Sequence, residues 1–274
     1  MEVMNVVAIV GAAAWTPQII TWIYRFFTKP QLSIYLHTQP QIGYSSFGPI
    51  FNVSCALLSK NKDAIINKFT ATLKHESGAL YEFDWVGLSE VLSEIENPMG
   101  PLMSIKKPSL PLVIKVLHTG VFQAFVRFQH GQFRVSMNKP FASLLERFNI
   151  LKNSGKLISE SDIDGLKSET EFDRVLKLID SEFIWHAGEY TVTFELHSPN
   201  KIKYKKDEYV FTLSQEDIEN LKENIENIKF DIFQRAKQEI VKDYKPKDIS
   251  WVWKNPELRK KKHIQLTSTN NQEN

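Results

Sequence analysis

Seven histidines, one cysteine and 32 acidic residues are the raw material for catalysis in this chain of 274 residues. Their spacing assembles no known chemistry. His186 and Glu189 stand three apart, a step that could share a metal on a helix. The alternation beginning at Glu189 instead puts both at a strand entry. Cys55 alternates with Val53 and Leu57, so it reads as a core thiol, and no histidine can be assigned to it from sequence. There is no GxxxxGK[ST], GxGxxG, HExxH or GxSxG pattern. Gly155-Lys156 lacks the upstream glycine and the following hydroxyl that a phosphate loop needs. Asn52-Val53-Ser54 matches a glycosylation acceptor but sits in a strand expected to face the cytoplasm. These readings predict a protein that is not an enzyme and carries no metal or cofactor.

Binding chemistry is better represented. Arg259, Lys260, Lys261 and Lys262 form a basic run close to Trp251 and Trp253, suited to anionic lipid headgroups or to phosphates. The net charge of +2 gives no global field, so nucleic acid is a partner the sequence permits without supporting. A single cysteine excludes a disulfide-stapled scaffold.

The N-terminus carries the strongest pattern. No charged residue occurs from Val3 to Tyr24, and Arg25 and Lys29 close the run. About 20 apolar residues cross a hydrocarbon core. Trp15, Trp22 and Tyr24 are rings of the interfacial type, and the basic flank predicts an outside N-terminus with the main domain in the cytoplasm. Asn5, Ala8, Ala12 and Thr16 share a stripe of small and weakly polar residues, suited to helix association or to lining a pore. Thr16-Pro17 is also a helix-start signal, so a broken form with a second helix from Pro17 competes with the kinked single span.

The elements that would position these groups follow from periodicity. After Lys29-Pro30 the texture alternates every second residue: Phe51, Val53, Cys55 and Leu57 on one face with Asn52, Ser54 and Ala56 on the other. Further strands are expected at Leu32, Phe69, Tyr81, Leu112, Phe122, Tyr190 and Tyr209. His130-Gly131 is expected to turn a hairpin into a strand holding Phe133, Val135 and Met137. Between about 140 and 184 the period becomes helical, and Ile218, Leu221, Ile225, Ile228 and Ile232 recur at the spacing of a coiled-coil seam. The expected fold class is mainly β with helical additions. It comprises a membrane anchor (1–29), an immunoglobulin-like β-sandwich with a helical insertion (30–213), a C-terminal helix (214–244) and a basic tail (245–274). The run from Ala187 to Val192 resembles the entry to the penultimate strand of immunoglobulin-like domains, where a tyrosine bonds back to the corner backbone.

The functional expectation is a single-span inner-membrane protein, homo-oligomeric, whose cytoplasmic domain binds a protein or small ligand. Two others stand beside it: a pore-forming effector gated by that domain, of the bacterial antiviral type, and an enzyme with an unrecognised site.

Overall fold

The structure, a computed structural model, describes residues 15–23, 27–95, 103–110, 112–155, 158–166 and 170–261. In chain order the elements are α1 (15–23), β1 (Gln31–Leu36), β2 (Gln41–Ser45), β3 (Gly48–Lys60), β4 (Ala64–Ile66), β5 (Lys68–His75), β6 (Leu80–Ile95), β7 (Met103–Ser109), β8 (Ile114–Val116) and β9 (Val121–His130). There follow α2 (Gly131–Lys152), α3 (Glu160–Gly165), α4 (Thr170–Ser181), β10 (Gly188–His197), β11 (Lys203–Tyr204), β12 (Glu208–Leu213), α5 (Gln215–Ile240), β13 (Trp253–Lys254) and β14 (Arg259–Lys260).

The expected two-sheet immunoglobulin-like sandwich is corrected. One continuous path of hydrogen-bonded strands runs β11-β1-β3-β9-β6-β5-β10-β12-β14, antiparallel except where β1 meets β11. Strands with one apolar face can bury it against a second sheet or against their own sheet when it curls. Here the curl wins. Phe51, from the middle of β3, meets Phe83, Phe128, Phe194 and Phe211 of four other strands at ring separations of 6.0–6.4 Å. The Tyr190 hydroxyl does bond back to its corner, accepting from the His186 N–H at 2.8 Å and donating to the His186 carbonyl at 3.2 Å. That bond exists here without a sandwich around it.

The membrane span is also corrected. Among the described residues no helix is long and apolar enough to cross a membrane. The nine described residues of α1 rise about 14 Å, less than half a hydrocarbon core. The single-span inner-membrane localisation, and the channel and sensor roles built on it, lose their support. Of the stripe, Asn5, Ala8 and Ala12 lie outside the described residues, as do Tyr24 and Arg25. Thr16, Trp15 and Trp22 lie on α1, and Lys29 precedes β1.

The helical region starts earlier than expected. The predicted strand at Phe133–Met137 is the first turns of α2, because Phe133 and Met137 are also four apart and both point into one core, leaving Val135 exposed. A second apolar cluster gathers Phe133, Leu144 and Phe148 of α2, Phe172, Val175 and Ile179 of α4, and Ile228, Ile232 and Phe233 of α5. The isoleucine seam of α5 is thus spent inside the chain, Ile218 and Leu221 on the sheet core and Ile228 and Ile232 on the helices. Tyr44 of β2 reaches that helical cluster, its hydroxyl donating to the Ile179 carbonyl at 2.6 Å. Burial first, then Glu182 and Asp180, push its phenol well above the usual range.

Candidate functional site

Outside the curl, β2, β3, β9 and β6 lie side by side, and the residues opposite the core form the floor of a cleft. Register places Gln41, Asn52, Arg127 and Gly87 in one row across the four strands. The Asn52 amide donates to Gln41 Oε1 at 3.0 Å. Gly87 gives the long Arg127 side chain room: a Cβ there would stand 2.5 Å from Arg127 Nη2. Asn52 is 3% exposed and its Oδ1 has no hydrogen-bond partner, an unmet acceptor just beneath the floor.

Three further elements raise the walls. The two-residue turn Ser46-Phe47 joins β2 to β3. It is fixed by the Ser45 hydroxyl accepting from the Phe47 N–H at 3.2 Å and by the Gln129 amide donating to the Phe47 carbonyl. Gly48 holds φ +87°, with the Phe133 ring where a side chain would be. The turn leaves Phe47 61% exposed at the rim. Arg134 comes from the first turn of α2 and Arg235 from the second half of α5.

The last wall is the segment after α5. It folds back along that helix and is tied down by side-chain amides. Asn224 accepts from the Val252 N–H at 2.8 Å and donates to its carbonyl at 2.7 Å; Asn227 donates to the Ser250 carbonyl; Gln234 accepts from the Lys247 N–H and donates to its carbonyl. This delivers Trp251 and Trp253 to the cleft, the Trp253 ring seated on Gly43, where a Cβ would stand 2.3 Å from it.

The result is a cleft of about 590 Å³ lined by three arginines, aromatic rings and amides, with no carboxylate in its lining among the described residues. Arg235 is neutralised by Asp231 at 2.8 Å. Among the described residues Arg127 and Arg134 make no ion pair and no side-chain hydrogen bond. Two guanidiniums without a counter-ion beside apolar walls have the donor chemistry that suits an anion.

The residues singled out from sequence lie elsewhere. Arg259 pairs with Glu257, Lys260 with Asp207 and Lys261 with Glu208 at the far end of the sheet, so these charges are already compensated; Lys262 lies outside the described residues. Trp251 and Trp253, noted beside that run, do reach the cleft. Cys55 is buried, and burial pushes its thiol up to about 12, as suits a core thiol. His186 and Glu189 meet no third ligand: among the described residues no metal-binding group of three occurs. The arginines were missed because Arg127 is a lone charge in β9 while Arg134 and Arg235 stand among the other charges of α2 and α5, and nothing local in the sequence joins the three. The available signal was Asn52, an amide inside a strand on the face away from its apolar row.

No family model matches the chain, and no curated protein matches it in sequence. Among solved structures, a family 123 glycoside hydrolase from Clostridium perfringens, studied for glycolipid glycan hydrolysis, is similar over 68% of this chain at 11% identity with a TM-score of 0.32. The chain spans 28% of that hydrolase's length. A likeness this low carries no argument about activity. The expectation that this chain is not an enzyme is withdrawn, and no reaction is assigned in its place.

Proposed function

We propose that the chain is a binding module whose cleft takes a small organic anion with an apolar part. The observation that carries this reading is the pair Arg127 and Arg134, exposed guanidiniums without a counter-ion in a cleft whose lining among the described residues contains no carboxylate. A guanidinium beside apolar walls and without a counter-ion gains most from an anion that brings its own charge and accepts hydrogen bonds from the planar fork. Trp251, Trp253 and Phe47 offer flat apolar surface beside that charge.

The test reads tryptophan fluorescence during titration with ethyl phosphate and with neutral ethanol. Quenching or a spectral shift that saturates with the phosphate and not with the alcohol is expected. Arg127→Gln and Arg134→Gln should each weaken binding about tenfold or more, the scale of one charge-assisted hydrogen bond. Saturation unaffected by both substitutions would place the anion somewhere else and end this reading.

A further inference from the structure

The cleft does not stop at the arginines. Past the Ser46-Phe47 turn it opens into a second cleft of about 300 Å³ over Phe133, Met137, Phe141 and Leu145 of α2. That one runs into a third, of about 370 Å³, between α2 and α5, lined by Phe148, Ile232, Ala236 and Ile240. Ser46 and Phe47 line all three, Arg134 and Gln129 line the first two, and Met137, Phe141 and Leu145 line the last two. A single trough therefore joins a cationic end to an apolar end.

Its apolar end is built from side chains that the chain itself leaves uncovered. Phe47 is 61% exposed, Leu145 46% and Phe141 36%, although the apolar residues beside them on α2 are buried. The charges along the trough are ordered as well. Arg127 and Arg134 stand at the sheet end; Asp231, paired with Arg235, and Glu239 stand at the helix end. An anionic group is attracted to the first end and repelled from the second, so a ligand with one charged head has one favourable orientation.

Resting on the anion reading above, we propose that the ligand is a single-chain anionic amphiphile taken up as a monomer, its head at Arg127 and Arg134 and its alkyl chain in the trough between α2 and α5. The far section is a furrow of about 370 Å³ lined from both α2 and α5, and a single alkyl chain is the occupant assigned to it. Along α2 the lining is mostly Phe133, Met137, Phe141, Leu145 and Phe148, with Asn138 and Asn149 as polar members beyond Arg134, and burying each methylene against the apolar side chains adds to affinity.

The experiment is a chain-length series: ethyl, butyl, hexyl, octyl and dodecyl phosphate, each below its critical micelle concentration, titrated into the full chain by calorimetry. Affinity should rise about fourfold per added methylene until the trough is full and then level off. Leu145→Asp, at an exposed position that tolerates charge, should collapse the gain from ethyl to dodecyl phosphate. Arg127→Gln should weaken every member by a similar factor. Ethyl phosphate bound as tightly as dodecyl phosphate would overturn the amphiphile and leave the anion site standing; no binding by any member would overturn both. Two other results would also sink the amphiphile. One is a chain that sediments with phosphatidylglycerol vesicles yet binds no monomer. The other is a dimer that Leu145→Asp dissociates, with no dependence on chain length, which would put a second copy in the trough.

Discussion

At the scale of single residues, the cleft depends on space made by glycine. Gly87→Ala sets a methyl group 2.5 Å from the Arg127 guanidinium, and the far end of a flexible side chain yields at little cost. The expected outcome is a melting temperature close to that of the parent chain with weakened binding of ethyl phosphate, measured side by side. Another residue couples charge to stability. Asp63 Oδ1 lies 2.7 Å from His118 Nδ1 and accepts the His118 backbone N–H at 3.0 Å, with Lys115 at 3.4 Å from its other oxygen. The His118 side chain first, then its backbone, lowers the carboxyl to about 2 from 3.8. A depressed carboxyl stabilises the fold above its unfolded value and loses that contribution as pH falls. The stability gap between the parent chain and Asp63→Asn should be constant above about pH 4 and close between 3.8 and about 2. A gap unchanged across that window in acid melting curves would show the bond to be without thermodynamic weight. Legibility at this scale is uneven. The inward row Phe51, Val53, Cys55 and Leu57 was readable because alternation reports burial directly. The partnership of Asn52 with Arg127 was not, because it depends on register between strands far apart in sequence.

At the scale of elements, the return segment after α5 is the least expected feature. Its sequence from Val241 to Val252 has no strand or helix period, and its conformation is dictated by amides projecting from α5. Asn224, 1% exposed, serves the backbone of Val252 as a neighbouring strand would, one bond given and one received. Asn224→Ala leaves both backbone groups unpaired, at about 1–3 kcal/mol each when buried. It should lower stability in denaturant melts and free Trp251 and Trp253, visible as a red shift of tryptophan emission. Emission unchanged in Asn224→Ala would mean that the tryptophans are held by their own packing. The capping boxes of α3 and α5, at Ser159 with Asp162 and Ser214 with Asp217, show the opposite case. Ser214 as the start of α5 was readable because a cap is a purely local motif. The start of α2 was misread by about ten residues because Phe133 and Met137 satisfy both periods, and only the helical cluster below decides between them.

At the scale of the whole molecule, strand content was legible and sheet count was not. Each strand reports which of its faces is apolar, but not what that face meets. Curling gathers the phenylalanines of five strands at one point, so the core should be sensitive there. Phe194, fully buried among four rings, should cost about 3–5 kcal/mol when changed to Ala, while Thr193→Ala, on the outer face, should cost far less. Equal denaturant midpoints for the two variants would show the register of β10 to be shifted by one. The same curl joins distant parts of the chain. Trp185 Nε1 donates to the Gly43 carbonyl across 142 residues, and β13 pairs with β2 and β14 with β12. A ribosome adds residues at roughly 5–20 per second, so β2 waits ~10–40 s for the strand that completes it. Until the end of that interval the nascent chain lacks the wall that carries Trp251 and Trp253, and so has no complete cleft. The cleft is the last part of the molecule to come into being, and a chain cut short during synthesis lacks it.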